Sequence, residues 1–475
     1  MKIGLLPFYL ELYDQVCPQY HDPAQCFAER MAEELRKRGF EVVDSPLCRV
    51  RSEFQAALKS MEAAGCEALA TLHLAYSPSL ESADLVAASP LPVVVMDTTP
   101  DAVFTGDQIM ANHGIHGVQD FCNLLLRLHK PFLISSGHWQ DEHFMDCITG
   151  QLHAAGMAWK ITHMRVGNAG GDFAGMGDFQ IPEGTFNMSV VPWANQPEPT
   201  ADEVEAERAA DLQAFAAVPE LDPETHRRTL RASLKLRHWL EQEKLEAFTV
   251  CFPGITRSLG WETVPFLECS KAMARGLGYA GEGDILTAAV NRCLARVFPE
   301  TSFMEMFCPD WSGNRIFTSH MGEINTVLCS AKPCLHEMAY RYSDTGNPVL
   351  ATGCFKSGKA LLANLAPGPD SQFTLLAANA EFIASEGDST RKNSGWFTPQ
   401  ADTIGDFLAA YSQAGGTHHL ALSYDGKPEI LRDWAKLMKW KFAYIDPVQK
   451  GFLTTKDTKR HENFVGKLMS QPEIS

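Results

Sequence analysis

The first third of the chain alternates short apolar runs with amphipathic stretches of helical spacing, and this alternation constrains the fold more than any other feature. The runs that predict strands and the stretches that predict helices lie, in chain order, at residues 3–6, 25–38, 40–43, 53–64, 68–72, 93–96, 108–128 and 132–135. Strands joined by helical crossovers form a parallel, doubly wound sheet with helices on both faces. Ligands bind such sheets at the carboxyl ends of the strands, where His73, Asp97 and His138 fall in this chain.

A second unit of the same kind precedes a region of short strands. A glycine-rich stretch at 166–200 suits turns or a crossing between domains, and the acidic, alanine-rich residues 201–218 predict an exposed helix. Helices at 225–243 and 264–275 then flank a strand at 247–251. From about residue 318 onward the predicted elements are strands at 323–329, 349–355, 359–364 and 372–377 and a helix at 404–411.

The predicted fold class is therefore α/β, with two Rossmann-like doubly wound αβ domains followed by a mostly antiparallel, barrel-like β domain. We expect these domains to span residues 1–165, 166–300 and 301–453, with a polar tail at 454–475. A chain of 475 residues is too long for one ordinary core, which agrees with three domains.

Charge and cysteine content exclude several classes of partner and location. The formal net charge is −17 and the chain has no basic run, whereas nucleic acids and anionic membranes bind clustered Lys and Arg. The 13 cysteines include no Cys-x-x-Cys pair, which indicates reduced, mostly buried thiols. No segment approaches the roughly 20 apolar residues of a membrane span, and the N-terminus lacks a signal-peptide core. We expect a soluble, cytoplasmic protein.

A glycine-rich turn at residues 278–284 carries Glu282 just before a helical run. Its glycines let the backbone adopt positive φ and approach a ligand closely. Glu305, His320 and the adjacent histidines His418 and His419 follow along the chain. Two carboxylates and two imidazoles form a mixed oxygen and nitrogen set that suits a divalent metal with positions left open for a substrate. We predict that these residues form one site.

Each of these residues also has an ordinary structural interpretation. Glu282 suits the N-terminus of a helix, where the macrodipole favours a carboxylate. The histidines belong to a residue type that more often serves as a donor or acceptor within a core than as a ligand. Glu305 differs, because it lies in an apolar run where an unpaired carboxylate is costly and a metal or another cation is the expected partner.

Six short blocks, spread in order over about residues 105 to 425, carry a resemblance to a known family. They are Asn-His-Gly-Ile-His-Gly from Asn112, Ser-Gly-His-Trp-Gln-Asp from Ser136, Gly-Tyr-Ala-Gly-Glu-Gly-Asp from Gly278, Thr-Ser-Phe-Met-Glu from Thr301, Ser-His-Met from Ser319 and Gly-Gly-Thr-His-His from Gly415. The set resembles the L-arabinose isomerase branch of the arabinose/fucose isomerase superfamily. One block alone would be weak, but six in the same order are specific.

The resemblance implies a metal-dependent aldose–ketose isomerase that acts through a cis-enediol. It makes Glu282, Glu305, His320 and His419 the metal ligands. The same two glutamates would act as the catalytic base and acid that move a proton between adjacent sugar carbons. Mn²⁺ is the expected cofactor, because carboxylate and imidazole ligands suit it, with Mg²⁺ and Co²⁺ as alternatives.

Further residues are expected to support the ligands or to contact the sugar. The residues that would fix the geometry of the ligands are His418, Asp284, Glu323 and His138. The residues that would contact the sugar are His116, Phe8, Tyr9, Asp97 and Met176. Because adjacent side chains on an extended segment point to opposite faces, only one of the two adjacent histidines is expected to reach the ion.

The resemblance also implies a homo-oligomer, a trimer or a hexamer, in which His116 enters the pocket of a neighbouring subunit. The first domain departs from the family, since residues 6–11 and 96–101 replace its Gly-Ser-Gln-His-Leu-Tyr-Gly and Phe-His-Thr-Gln-Phe-Asn blocks. Loss of these polar groups, with the metal set kept, predicts the same reaction on a different sugar.

The replacement residues suggest which sugar this is. Phe8 and Tyr9 would form an aromatic wall for an apolar or deoxy sugar end, and the acidic Glu11, Asp97 and Asp101 disfavour a phosphorylated sugar. The expected substrate is thus a free aldose or ketose. Alternative functions are a metal-dependent carbohydrate epimerase or lyase, and a non-catalytic sugar-binding protein.

Overall fold

The structure is a computed structural model that describes residues 1–103, 105–181, 188–383 and 394–445. The polar tail predicted at 454–475 lies outside these residues. Among the described helices, none combines the length and the apolarity needed to cross a bilayer.

The N-terminal layer is a five-stranded parallel sheet. Its elements are β1 (Lys2–Phe8), α1 (Glu11–Val16), α2 (His21–Lys37), β2 (Glu41–Asp44), α3 (Arg51–Ala63), β3 (Ala68–His73), α4 (Ala83–Ala88), β4 (Val93–Asp97), α5 (Ile115–Arg127), β5 (Phe132–Ser136) and α6 (Glu142–His163). The strand order is β2-β1-β3-β4-β5 and each neighbouring pair is parallel. This order confirms the doubly wound sheet.

Helices cover both faces of this sheet because successive strand residues point to opposite sides. Leu5 of β1 belongs to the core that contains Met31 of α2, whereas Leu6 belongs to the core that contains Phe54 of α3. The carboxyl ends of β3, β4 and β5 lie at one edge, so His73 and Asp97 end neighbouring strands as predicted.

The middle of the chain builds a second, four-stranded sheet. Its elements are β6 (Arg165–Ala169), β7 (Ser189–Pro192), α7 (Ala201–Ala214), β8 (Ala216–Ala217), α8 (Pro223–Gln242), β9 (Ala247–Val250), α9 (Phe266–Ala274), β10 (Gly278–Gly281) and α10 (Ile285–Val297). The order is β10-β9-β6-β7, all parallel, while the short β8 pairs elsewhere. The glutamate turn connects β10 to α10.

The last part of the described chain is a closed barrel with additions. Its elements are β11 (Thr301–Asp310), β12 (Arg315–Ser319), β13 (Cys334–Glu337), β14 (Val349–Thr352), β15 (Gly358–Pro367), β16 (Phe373–Ile383), β17 (Ser394–Pro399), α11 (Ile404–Gln413), β18 (His419–Ser423), α12 (Pro428–Met438) and β19 (Lys441–Ile445). The antiparallel order β15-β18-β11-β12-β17-β16 closes through β15 and β16, and β19 adds a parallel strand. The predicted α/β class with a barrel-like β domain is confirmed. The domain boundaries stay a prediction.

Two predicted elements are wrong. In both places a polar side chain hydrogen-bonds to nearby backbone, where a strand or helix would need regular backbone hydrogen bonds. Residues 323–329 form no strand, and a 3₁₀ turn lies at Thr326–Leu328. There the Asn325 Oδ1 atom accepts a hydrogen bond from the Val327 N–H (3.3 Å). The helix predicted at 108–128 begins only at Ile115, and the Asn112 side chain before it binds the preceding loop, accepting from the Asp101 N–H (3.2 Å) and donating to the Asp101 carboxylate (3.0 Å).

Candidate active site

The glycine-rich turn holds Glu282 in a left-handed backbone conformation, with φ of +62° at Glu282 and +88° at Gly283. The Glu282 N–H donates to the Val250 carbonyl oxygen at 2.9 Å, which ties the turn to β9. A Cβ atom at Gly281 would lie 2.4 Å from the Cε1 atom of His320, so only glycine lets this ring pack against the turn. A left-handed glutamate is a strained feature of the kind found at functional sites.

The helix N-terminal role considered for Glu282 belongs to Asp284. The Asp284 Oδ1 atom accepts from the Thr287 N–H at 2.8 Å and caps α10. The other oxygen, Oδ2, lies 3.2 Å from Nδ1 of His419. Because Asp284 caps the helix, the carboxylate of Glu282 stays free to face the histidines.

Two strands of the barrel bring the other ligand candidates to this turn. Glu305 on β11 pairs directly with His419 on β18, and opposite residues of an antiparallel pair project to the same face. The Nε2 atoms of His418 and His419 lie 3.4 Å and 3.7 Å from Oε2 of Glu282. The ring of His320 is 5.4 Å from the ring of His419, centroid to centroid. The four predicted ligands therefore lie in one cluster at this turn.

Each histidine of the cluster has a carboxylate oxygen beside its Nδ1 atom. The pairs are His320 with Glu323 at 2.8 Å, His419 with Asp284 at 3.2 Å and His418 with Asp178 at 2.7 Å. The opposite ring atoms, Nε2 of His320 and of His419, are buried and have no hydrogen-bond partner among the described residues. A buried polar atom without a partner is costly, and a carboxylate on Nδ1 is the usual support of a metal-binding imidazole. The pattern fits a cation bound at Nε2.

The donor chemistry fits the same cation. Potential ligand atoms of Glu282, His418 and His419 all lie within 4.8 Å of one another, and among the described residues this group joins two of the four predicted ligands with His418. Carboxylate oxygen and imidazole nitrogen together suit a divalent metal ion.

The two glutamates sit in different electrostatic surroundings. Burial raises the pKa of Glu282, but the hydrogen bond with His418 and the nearby charges of the histidines outweigh burial and lower it. Burial also raises the pKa of Glu305, and here the attraction of His320 and His418 does not compensate, so the pKa lies above its usual range. The pKa values of the two glutamates shift in opposite directions because Glu282 has the closer contact with a histidine.

Asp178 and His418 shift each other's pKa in opposite directions. Burial lowers the pKa of His418, but hydrogen bonds with Asp178 and Glu282 outweigh burial and raise it to about 10. The same contact lowers the pKa of Asp178 to about 2, against the opposing effect of burial. In contrast, burial lowers the pKa of His419 despite its bond with Asp284.

The expectation that His418 and His419 point to opposite faces is wrong. Their ring centroids are only 4.1 Å apart and both Nε2 atoms face Glu282. The reason is that β18 begins at His419, so His418 lies before the strand and does not follow the alternation of side chains within it.

The aromatic wall predicted at Phe8 and Tyr9 is also wrong. Each of these residues is 1% exposed. The ring of Phe8 packs against Phe54 at 4.8 Å and against His73 at 4.2 Å, inside the N-terminal layer. A fully buried ring cannot stack on a sugar. Phe8 and Tyr9 therefore give no support for an apolar or deoxy sugar end.

The other sugar-contact candidates fall into two places. Met176 lies on the loop that follows β6, and Phe173 of that loop donates its N–H to the Glu282 carbonyl oxygen at 3.1 Å. Asp97, His116 and His138 lie at the carboxyl edge of the first sheet. Within the described chain no hydrogen bond or ring contact joins these three residues to the glutamate and histidine cluster.

Sequence reasoning missed three residues that touch the cluster. Asp178 binds His418, Phe179 stacks on His419 with ring centroids 5.5 Å apart, and the Tyr279 hydroxyl donates to Glu323 at 2.5 Å. The one available signal was a carboxylate within a glycine-rich loop. Nothing in the position of Asp178 along the chain indicates a partner more than two hundred residues away.

Comparisons with known proteins identify the family of the chain. The family models of the L-arabinose isomerase central domain and C-terminal domain match residues 202–299 and 300–441, which include all four predicted ligands. The L-arabinose isomerase of Herpetosiphon aurantiacus is 27% identical over 372 residues, 72% of each chain. Those of Shouchella clausii and Klebsiella pneumoniae are each 25% identical, again over 72% of each chain. The chain belongs to the L-arabinose isomerase family.

Proposed function

We propose that this protein is a metal-dependent aldose–ketose isomerase that acts on a free sugar through a cis-enediol. The observation that carries the proposal is the pair of buried Nε2 atoms of His320 and His419, which have no hydrogen-bond partner within the part of the chain that the structure describes; that of His419 lies 3.7 Å from Glu282. Both imidazoles have a carboxylate on Nδ1, as metal-binding histidines do. The relatives named as L-arabinose isomerases support the reaction class.

The chemistry divides between the two glutamates and the cation that they would hold with His320 and His419. A bound divalent cation would chelate neighbouring sugar oxygens, polarise the carbonyl and offset the negative charge that develops during proton transfer. Glu282 and Glu305 would serve as base and acid, taking the proton from one carbon and returning it to the next. Asp284 and Glu323 would hold the imidazole rings in the orientation that keeps Nε2 towards the site.

The substrate we propose is an unphosphorylated sugar, with a preference that differs from L-arabinose. The groups that act most strongly on Glu282 and Glu305 are histidines and carboxylates, and no Lys or Arg of the described chain is among them. A phosphate is bound by such a cation or by a helix N-terminus, and the N-terminus of α10 beside the cluster is already capped by the Asp284 carboxylate. The altered preference rests on the replaced polar blocks at residues 6–11 and 96–101, which lie at the carboxyl edge of the first sheet.

We also propose a homo-oligomer, a trimer or a hexamer, in which His116 completes the pocket of a neighbouring subunit. His116 lies at the exposed start of α5, apart from the glutamate and histidine cluster of its own chain. Large apolar side chains at the same edge are exposed, including Leu12 at 51%, Leu80 at 78% and Ile115 at 48%. Exposed apolar side chains gathered at one edge are a feature of subunit contacts. The unpaired thiols of all 13 cysteines support a cytoplasmic location.

The test is a screen of free pentoses, hexoses and deoxy sugars, with the corresponding sugar phosphates, in the presence of Mn²⁺. Ketose formation is the readout, and NMR of the product in D₂O identifies the carbon that exchanges its proton. We expect a free sugar to give the highest kcat/KM. A sugar phosphate as the best substrate would contradict the charge argument, an epimer or an eliminated product would assign a different reaction, and tight sugar binding without turnover would indicate a binding protein.

A further inference from the structure

Asp178 occupies a position that the proposed mechanism does not use. It lies on the loop after β6, and its Oδ2 atom is 2.7 Å from Nδ1 of His418. The same oxygen accepts the backbone N–H of His418 at 3.1 Å. One carboxylate oxygen therefore holds both the ring and the main chain of this histidine.

The barrel holds the residues on either side of His418. The main-chain N–H of His418 itself bonds to the loop after β6. Asn364 on β15 accepts the Thr417 N–H at 3.2 Å and donates to the His419 carbonyl oxygen at 2.8 Å. The His418 N–H instead donates to Asp178, from a different part of the fold. The direction of the His418 ring thus depends on the loop that carries Asp178.

The residue next to Asp178 extends this contact to the second histidine. Phe179 is 4% exposed, and its ring lies parallel to that of His419, with centroids 5.5 Å apart and an interplanar angle of 9°. The centroid of Phe179 is 5.7 Å from that of His418. Successive residues of one loop therefore hold successive histidines of the barrel.

We propose that Asp178 is a positioning residue for the metal-binding cluster, acting through His418. By fixing Nδ1 and the main-chain N–H of His418, it turns Nε2 towards Glu282 and sets the distance between the glutamate turn and the barrel. This inference rests on the proposed function, because it concerns how the same cluster is assembled. Replacement of a residue that orients a metal site from outside its ligands lowers metal affinity about 10–100-fold.

The experiment compares Asp178→Ala, Asp178→Asn and a loop control, Gln180→Ala. Among the described residues, the Gln180 side chain donates to the Met176 carbonyl oxygen within the same loop, at 2.8 Å. Mn²⁺ affinity is measured by titration calorimetry on the metal-free full chain, and the EPR spectrum of bound Mn²⁺ reports ligand geometry. Thermal unfolding of the metal-free variants verifies folding.

We expect Asp178→Ala to weaken Mn²⁺ binding about 10–100-fold and to change the EPR spectrum. Asp178→Asn should recover part of the loss, since an amide oxygen can still accept from the His418 main chain, and Gln180→Ala should bind like wild type. If Asp178→Ala binds Mn²⁺ as wild type does, or if Gln180→Ala loses as much affinity, the positioning role is refuted while the metal site stands. If wild type itself binds no Mn²⁺, the proposed function fails, and this inference fails with it.

Discussion

Glu305 and His419 face each other directly across β11 and β18, on the same face of the barrel wall. The turn that carries Glu282 comes from the second sheet and meets this pair, with 3.7 Å between His419 Nε2 and Glu282 Oε2. The site is therefore built at the junction of a parallel sheet and an antiparallel barrel. Its chemistry depends on both parts being folded.

The first prediction concerns the two glutamates. Glu282→Gln and Glu305→Gln should each lower kcat by about 10²–10⁴-fold, because an amide can occupy the same space but cannot take up or return a proton. The change is measured as ketose formation by the folded variants. Glu381→Gln on the exposed side of β16 is the matched control and should keep wild-type activity. Near-wild-type turnover by either site variant would remove that residue from the mechanism.

The second prediction concerns the metal. Removal of divalent ions by a chelator should abolish turnover, and Mn²⁺ should restore it. Since a ligand that binds only the folded state stabilises it, Mn²⁺ at a hundred times its Kd should raise the free energy of unfolding by about 2.7 kcal/mol.

His419→Ala separates this stabilisation from nonspecific ion effects. His419 is fully buried in the cluster, whereas the control, His163, is exposed at the end of α6. His419→Ala should lose the Mn²⁺-dependent rise in Tm, and His163→Ala should keep it. Full activity of wild type in a strong chelator would count against any metal role.

The third prediction concerns the shared pocket. If His116 serves a neighbouring subunit, then inactive His116→Ala subunits mixed with inactive Glu305→Gln subunits should regain activity after subunit exchange. Mixed oligomers would contain some pockets with both groups intact. Light scattering gives the oligomeric state in the same samples. An active monomer, or mixing without recovery, would contradict a shared pocket.

The fourth prediction concerns acid stability, and it rests on an ionic network between α7, α8 and α9. The Arg237 guanidinium donates to Glu207 at 2.6 Å and to the fully buried Glu268 at 2.7 Å, and Lys271 also contacts Glu207. Burial raises the pKa of Glu207, but these hydrogen bonds outweigh burial and lower it to about 2.

A carboxylate with a lowered pKa stabilises the folded state above its unfolded pKa, and this stabilisation is lost as pH falls towards the folded value. For Glu207 the window runs from the ordinary value of 4.5 down to about 2, and the contribution is at most about 3 kcal/mol. Glu207→Gln should lower stability at neutral pH and flatten the loss in this window, measured by urea unfolding. Glu241→Gln, exposed on α8, should follow wild type. An unchanged pH profile for Glu207→Gln would show that the network carries no such coupling.

The sequence by itself determined the alternation of strands and helices, because hydrophobic periodicity is a local property that each segment carries. It also determined the glycine-rich turn and the residue types of the cluster, since the turn needs glycines at Gly281 and Gly283 and a metal needs oxygen and nitrogen donors. The order of the family blocks along the chain added the prediction that Glu282, Glu305 and His320 belong to one set of ligands.

Only the tertiary structure decided how distant segments meet. It buried Phe8, brought His418 and His419 to the same side, and placed Asp178 on a histidine that lies 240 positions away. Such contacts depend on the packing of two sheets and a barrel. The hydrophobic periodicity of a single segment carries no information about that packing. The same packing left the Nε2 atoms of His320 and His419 buried and unpartnered, and that arrangement makes the cluster a candidate metal site.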